Sequence, residues 1–204
     1  MASAKRSGQS NASESSVSRG TFTVHVVDGK LPGIKIIRPK VFIDDRGFFL
    51  ESYSVQAFAA AGIDVTFVQD NHSRSVKGTL RGIHYQAYPG QAKLVRVVLG
   101  RTWSVIVDLR PGSATFGQWE AVELDDQALE QLFIPVGFGH GFCVMSEFAE
   151  VEYKVSAPYD AEAERAISYA DPELAIEWPV TQPLLSVRDQ RAESFAAYRA
   201  RVGR

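Results

Sequence analysis

The sequence predicts an all-β sandwich or barrel. Short β-rich runs bounded by Gly, Pro and Asp follow one another along most of the chain, a pattern typical of many-stranded antiparallel folds. Helical signals are few, and no long helical segments alternate with the strands as a βαβ layout would require. No G-x-G-x-x-G motif opens a helix, so the sequence gives no support for a Rossmann dinucleotide site.

Length and composition indicate one soluble domain. The chain has 204 residues, 45% of them hydrophobic, which is enough to fill a core. We expect the Ser-rich residues 1–20, which contain no aromatic residue, to be disordered and residues 21–204 to form a single domain. The net charge is -2, with both signs mixed, so neither nucleic acid nor an anionic membrane is expected as a partner. No apolar run has membrane-helix or signal-peptide character, which predicts a cytoplasmic protein.

The individual elements can be predicted in chain order. Strands are expected over residues 21–27, 34–37, 48–53, 66–71, 93–99, 103–109, 118–124, 132–134 and 149–155. A short helix is expected over residues 54–61 with Ser54 as its N-cap, and a terminal helix after Asp189. Apolar and charged residues alternate over 149–155, so Tyr153 is predicted to point inward.

Several polar residues are candidates for a site. Gln69 and Asn71 share one strand face, which fits a ligand-binding surface or a solvated one equally well. His140 lies in a segment with three glycines in five residues, which brings the backbone close to a ligand or to another strand. His25 and His72 are expected to be structural.

Cysteine and metal chemistry are not indicated. Cys143, the only cysteine, lies in an apolar run and is expected to be a small core residue rather than a nucleophile. It cannot form an intramolecular disulfide, which fits a reducing compartment. The chain has no His-x-His and no C-x-x-C, so we expect no catalytic metal.

Taken together, the motifs resemble the dTDP-4-dehydrorhamnose 3,5-epimerase family. Each motif alone is a weak signal, but eight of them in the family's order, spread over roughly residues 33–189, are a strong one. The matching stretches are residues 42–53, 67–73, 80–86, 91–95, 113–119, 137–142, 153–154 and 185–189. The resemblance implies a cupin-type jelly roll with a few short helices, usually paired as a homodimer, with a dTDP-linked sugar as substrate. It implies neither a cofactor nor a metal.

The resemblance also implies roles for individual residues. His84 would be the catalytic base, Asp189 its carboxylate partner and Tyr153 the proton donor. Substrate binding would fall to the remaining matched positions. Lys93 and His140 would contact the sugar; Arg46, Glu51, Gln69, Asn71 and Arg81 would hold the nucleotide; Glu164 and Arg188 would be further binding positions.

The chemistry of such a reaction suits these residue types. A ketone at C4 acidifies the protons on C3 and C5, and epimerisation removes a proton on one ring face and returns one on the other. That requires a base and an acid on opposite sides of the sugar. Histidine suits the base because its unperturbed pKa lies near neutrality, and a carboxylate on its other nitrogen fixes the tautomer. A lysine can stabilise the enolate oxygen, and arginines suit a diphosphate.

One position departs from the family pattern, and other readings stay open. Ser104 stands where the family commonly has Asp, which puts the protonation of the site and the epimerised carbon in question. The alternatives are a single-carbon epimerase or a keto-sugar isomerase of the same superfamily, a non-catalytic sugar-nucleotide binding module, and a metal-dependent cupin oxygenase. For isolated residues a structural role is also open, since Arg46 could simply pair with its acidic neighbours across a turn.

Overall fold

The computed structural model describes residues 15–18 and 23–203, and its paired strands are all antiparallel. The strands are β1 (Ser15–Ser18), β2 (Thr23–Asp28), β3 (Lys35–Pro39), β4 (Val41–Asp44), β5 (Gly47–Leu50), β6 (Gln69–Val76), β7 (Leu80–Gln86), β8 (Lys93–Leu99), β9 (Arg101–Asp108), β10 (Trp119–Asp125), β11 (Gln131–Ile134), β12 (Phe138–Val144), β13 (Phe148–Val155) and β14 (Glu164–Ala166). The helices are α1 (Val55–Ala60), α2 (Val187–Gln190) and α3 (Phe195–Val202). Within these described ranges no helix is long and apolar enough to span a membrane.

Two sheets form the jelly roll that the sequence predicts. A seven-stranded sheet has the order β1-β2-β3-β11-β8-β13-β6, and a five-stranded sheet has the order β10-β9-β12-β7-β14. Apolar side chains from both sheets meet in the main core, which includes Val95, Ile106, Leu132 and Phe142. Burial of this apolar surface is the principal force that holds the two layers together. The prediction of a cupin-type all-β fold is confirmed.

The short helices cover the outer faces of the sheets. Phe58 of α1 is buried in a cluster on the outer face of the seven-stranded sheet, and Phe195 and Tyr198 of α3 pack on the outer face of the five-stranded one. The Ser54 side chain accepts a hydrogen bond from the backbone N–H of Ala57, so the predicted N-cap of α1 is confirmed. The predicted terminal helix is present as α3.

Some strand predictions were wrong in extent. The strand predicted at 66–71 is β6, which begins at Gln69 and continues to Val76, while the strand predicted at 48–53 ends at Leu50. The segments that carry His84 and His140 were not predicted as strands, yet they form β7 and β12 at the centre of the five-stranded sheet. Their glycines weaken the strand signal in the sequence although tertiary packing supports the strands.

Part of the predicted disordered tail is ordered. Ser15–Ser18 form β1 and pair with β2, which differs from the disorder predicted for residues 1–20. An edge strand can form through backbone hydrogen bonds alone and needs no apolar side chains of its own. Residues 1–14 and 19–22 lie outside the described residues.

A β-bulge between β7 and β12 sets the faces of two site residues. Arg81 pairs with Phe142 and His84 with His140, so the register shifts between these pairs. In a regular strand, residues three apart point to opposite faces, but this extra residue turns Arg81 and His84 to the same interior face. The bulge depends on glycine, because Gly82 has φ +116° and a Cβ there would lie 2.5 Å from the Cα of Gly141.

The apolar interior also contains the single cysteine. Cys143 is 1% exposed, and burial raises the pKa of its thiol. The expected core role of this residue is confirmed, because a buried thiol with a raised pKa is a poor nucleophile.

Gly82→Ala should destabilise the protein by about 2–5 kcal/mol, combining the strain of a positive φ with overpacking against the β12 backbone. Gly112→Ala is the matched control, since Gly112 has φ +80° but a Cβ added there would meet nothing within 4 Å, and it should cost only about 1–2 kcal/mol. Urea unfolding of both variants measures the difference. Equal midpoints for the two variants would show that the Gly82–Gly141 approach is not tight.

Candidate active site

A histidine–carboxylate pair lies at one end of the interior between the sheets. The Nε2 atom of His84 is 2.5 Å from Oδ1 of Asp189, and the Asp189 side chain is only 3% exposed. Asp189 is fixed by α2, because the hydroxyl of Ser186, the N-cap of this helix, donates to its Oδ2 at 2.8 Å. Burial raises the pKa of Asp189, but hydrogen bonds and charge from His84, with help from Ser186 and Arg188, outweigh it, so the pKa is lowered overall. Asp189 is therefore ionised at neutral pH.

The ionised carboxylate decides the tautomer of His84. A carboxylate can only accept a hydrogen bond, so the proton must lie on the Nε2 atom that faces Asp189. In the neutral ring the Nδ1 atom then carries the free lone pair. No hydrogen bond to Nδ1 is found within the part of the chain that the structure describes. The side chain is thus arranged to act as a base through Nδ1.

Lys93 and His140 line the same cavity, which has a volume of about 590 Å³. His140 is the direct cross-strand neighbour of His84, and the Nζ of Lys93 lies 3.5 Å from the His84 carbonyl oxygen. Burial lowers the pKa of Lys93 to about 8. Burial, followed by the charges of Lys93 and His84, lowers the pKa of His140 well below its ordinary value. His140 is therefore neutral, and Lys93 supplies the positive charge deep in the cavity.

Tyr153 completes the cavity opposite the five-stranded sheet. It lies on the inner face of β13, as the alternation predicted, and no side chain or backbone group of the described residues hydrogen-bonds its hydroxyl. Burial raises the pKa of its phenol, followed by the nearby charge of Glu164, so the hydroxyl keeps its proton at neutral pH. A protonated phenol that opens into the cavity can donate a proton to a bound molecule.

Glu164 and Arg188 form an ion pair at the rim of the cavity. The Nη2 atom of Arg188 is also 2.9 Å from the Nε2 atom of His84. Because Nε2 donates its hydrogen to Asp189, it has no lone pair left to accept a hydrogen bond from Arg188. The guanidinium is held in this position by its ion pair with Glu164. Arg188 thus lies against the predicted base, and Glu164 is its partner.

A second chamber of about 430 Å³ adjoins the first and shares His84, Lys93, Tyr153 and Glu164 with it. Its remaining wall includes the amides of Gln69 and Asn71, which hydrogen-bond each other at 2.8 Å, and the exposed ring of Tyr159. The backbone N–H of Tyr159 donates to Oε1 of Gln69 at 3.0 Å. The strand face of Gln69 and Asn71, for which the sequence allowed either a ligand-binding or a solvated role, therefore lines a cavity.

Tyr159 was not among the site residues predicted from the sequence. It follows β13 in a loop, where no periodic pattern marks it, and its side chain reaches the cavity only because the loop is tied to Gln69. A hydrogen bond to Glu164 raises the pKa of its phenol. The sequence signal that was available is an aromatic residue in a polar, proline-containing loop, which is weak on its own.

Arg46 and Glu51 are not brought to these chambers. Arg46 lies in the turn between β4 and β5, with its side chain 89% exposed, and it pairs with Asp44 at 2.6 Å. The β4–β5 hairpin forms a separate two-stranded sheet, and neither residue lines the two chambers. By contrast, Arg81 lines the first chamber, and its Nε donates to the Ser75 hydroxyl at 3.0 Å.

Ser104, where the sequence departs from the family pattern, is buried on β9. Ser104 is 1% exposed on β9 opposite Phe142, and its hydroxyl has no hydrogen-bond partner among the described residues.

Residues 15–18 and 23–203 contain no group of three or more His, Cys, Asp or Glu side chains that could hold a metal ion. The absence of a catalytic metal stays a prediction.

A further cavity, on the outer face of the seven-stranded sheet, has different chemistry. Its charged residues are paired with each other, with Arg96 bonded to Glu152 at 2.8 Å and Lys154 to Asp70 at 2.9 Å. His72 contacts Glu150 here and lies outside the two chambers, in keeping with a structural role. This cavity has no paired base and acid.

A histidine–carboxylate pair, a protonated phenol and a buried lysine thus lie in one cavity of a jelly roll, an arrangement suited to an enzyme that transfers protons. The family model for dTDP-4-dehydrorhamnose 3,5-epimerase matches residues 28–197. The chain is 52% identical to the dTDP-4-dehydrorhamnose 3,5-epimerase of Pseudomonas aeruginosa over 81% of this chain and 93% of the relative. It is 45% identical to a dTDP-4-dehydrorhamnose 3-epimerase of Streptomyces niveus, over 83% of each chain.

A solved structure shares the fold at high similarity. The dTDP-6-deoxy-D-glucose-3,5-epimerase of Legionella pneumophila, in complex with dTDP-4-keto-L-rhamnose, superposes with a TM-score of 0.85 and 44% identity. The match covers 88% of this chain and 96% of the other. The chain therefore belongs to the dTDP-4-dehydrorhamnose 3,5-epimerase family and is an epimerase.

The lowered pKa of Lys93 predicts an alkaline limit of activity. Because the free amine is favoured above the folded-state pKa of about 8, kcat/KM should fall as pH rises through that value. Lys93→Arg should move this limb to higher pH, since a guanidinium stays charged. A pH profile of kcat/KM for both proteins tests this. A wild-type profile that stays flat to about pH 10, the range of an unperturbed lysine, would contradict it.

Proposed function

We propose that this protein epimerises a dTDP-linked 4-keto-6-deoxy sugar at C3 and C5, in the synthesis of a rhamnose-like sugar. The observation that carries the proposal is the placement of the His84–Asp189 pair and the free Tyr153 phenol in one cavity with a buried cation. The names of the relatives support the substrate class. A binding module would need neither the base nor the acid.

The reaction follows from the positions of the groups. His84 removes the proton from the carbon next to the ketone through Nδ1, and Asp189 stabilises the imidazolium that forms. Lys93 stabilises the enolate oxygen, while His140, kept neutral by burial, adds a hydrogen bond without competing charge. Tyr153 then returns a proton to the opposite face of the same carbon. C3 and C5 flank the ketone carbon, so one set of groups serves both.

In this proposal the nucleotide extends from the first chamber, which Arg81 lines, into the second chamber. Arg81 is suited to the diphosphate, because a guanidinium binds it with paired hydrogen bonds. Arg188 lines the same chamber, and Glu164 lines both chambers. Gln69 and Asn71 offer amide groups to the base. The exposed ring of Tyr159 beside them provides a surface on which a base can stack.

Epimerisation at one carbon only is the second candidate function. Ser104 supports it, because this neutral, unpartnered residue opposite Phe142 stands where the family commonly has Asp. The 3-epimerase relative shows that both outcomes occur among similar chains. The number of carbons that take up solvent deuterium decides between the two. A cytoplasmic location remains a prediction, which the single buried cysteine supports.

Removal of the base and removal of the acid should have different effects on deuterium uptake. His84→Ala should lower uptake from deuterated water by about 10²–10⁴-fold, the usual contribution of a general base. Tyr153→Phe should still take up deuterium, since His84 can return it to the same face, but should yield little epimerised sugar. Proton NMR of dTDP-4-keto-6-deoxyglucose in deuterated water measures both.

His72→Ala is the matched histidine control and should behave as the wild type, since His72 lies on the outer face. Normal turnover by His84→Ala would remove this residue from the role of base. Equal loss of uptake and inversion in Tyr153→Phe would argue against a separate acid.

We also propose a homodimer in which the β4–β5 hairpin of one subunit completes the site of the other. The hairpin exposes Ile43, Phe48 and Phe49 by 81%, 59% and 62%. Such an apolar surface favours burial against a partner. Arg46 and Glu51, which resemble nucleotide-binding positions, lie on or next to this hairpin and outside the chambers of their own chain. A second copy explains both facts at once.

Subunit mixing tests the proposed trans contact. His84→Ala and Arg46→Ala are each expected to be impaired, but in a heterodimer one site would combine His84 of one subunit with Arg46 of the other. Equal co-expression should then restore about one quarter of wild-type activity, since about half of the dimers are mixed and each has one intact site. Activity no higher than that of the better single variant would place Arg46 in its own subunit's site.

A further inference from the structure

Ser73 is a buried hydroxyl in the catalytic cavity with no assigned role. Among the described residues, three buried side-chain polar atoms lack a hydrogen-bond partner, and they belong to Ser73, Ser104 and His140. Leaving a buried polar group unpaired is unfavourable, so such groups in folded proteins usually have a partner or a function. Ser73 and His140 both line the catalytic chamber, whereas Ser104 does not.

The neighbours of Ser73 on the inner face of β6 all have partners. Asn71 accepts a hydrogen bond from Gln69, and the Ser75 hydroxyl accepts one from Arg81. Ser73 lies between these two pairs, and its cross-strand partner is Val151, whose side chain offers no hydrogen bond. A molecule bound in the cavity can supply the missing partner of Ser73.

The position of Ser73 along the strand indicates which part of a ligand it meets. On one side of Ser73 along the inner face lies the pair of Asn71 and Tyr153. On the other side lies Ser75, whose hydroxyl accepts the hydrogen bond from Arg81. In the proposed function Arg81 binds the diphosphate on C1, and Tyr153 serves the reacting carbons. The sugar atom between C1 and C3 is C2, which carries a hydroxyl. A serine hydroxyl can both donate to and accept from such a group.

We propose that Ser73 binds the C2 hydroxyl of the sugar and thereby selects for 2-hydroxy over 2-deoxy substrates. The proposal rests on the proposed function and deepens it by assigning a residue that recognises the sugar itself. Ser73 takes no part in proton transfer. A site built to bond a hydroxyl discriminates against the analogue that lacks it, because its own polar group is then left unpaired.

The experiment compares dTDP-4-keto-6-deoxyglucose with its 2-deoxy analogue by kcat/KM for deuterium uptake. The wild type should prefer the 2-hydroxy substrate by about 5- to 10-fold, the size expected for one neutral hydrogen bond. Ser73→Ala should lower kcat/KM only for that substrate, so that the preference falls to about 1. Its melting temperature should be no lower than that of the wild type, since no internal hydrogen bond is lost.

Ser104→Ala is the matched control, because it also removes a buried, unpartnered hydroxyl but one that does not line the chamber. Whatever its overall rate, it should keep the wild-type ratio between the two substrates. A Ser73→Ala enzyme that keeps the wild-type ratio overturns the proposal, as does an equal loss of preference in both variants. Wild-type uptake on the 2-hydroxy substrate tests the proposed function separately, and its absence would overturn both.

Discussion

The close approach of β7 and β12 at Gly82 and Gly141 determines the arrangement of the catalytic cavity. Any side chain at Gly82 would collide with the opposite backbone, and its positive φ is one that other residues rarely adopt. The resulting bulge turns Arg81 and His84 toward the same side and sets His84 beside His140. Without it, His84 and Arg81 would lie on opposite faces of one strand. The catalytic geometry therefore depends on a contact between two residues that have no functional groups.

Charge inside the cavity is kept low by burial and by pairing. Asp189 is ionised and faces His84, Glu164 pairs with Arg188, and burial keeps His140 neutral. Lys93 is a further cation in the cavity, with a pKa lowered by burial toward physiological pH. A buried ammonium group can stabilise the negative charge of an enolate strongly, because the protein interior screens charge less than water does. In the proposed reaction Lys93 would therefore stabilise the enolate oxygen.

Different elements of the fold carry the candidate residues for proton transfer and for nucleotide binding. Proton transfer requires rigid groups, and His84, Lys93, His140 and Tyr153 all project from central strands of the two sheets. Nucleotide binding tolerates more varied elements, and its candidates come from β6, the loop with Tyr159 and the β4–β5 hairpin. In the proposed homodimer, the hairpin with its exposed apolar residues would take part in both assembly and nucleotide binding.

The amino-acid sequence by itself determined the all-β class, the N-cap of α1, the inward direction of Tyr153 and the buried state of Cys143. These depend on local propensity and on alternation along one segment, which a single strand or helix expresses. The resemblance of its motifs indicated the family and named His84, Asp189 and Tyr153 together. Only the tertiary structure decided that residues 81 and 84 share a face, that Tyr159 lines the cavity, that Arg46 and Glu51 do not, and that Ser73 is buried without a partner. The physical reason is that a bulge, a tied loop and an unpaired hydroxyl are set by contacts between segments distant in sequence, and no periodic pattern within one segment encodes them.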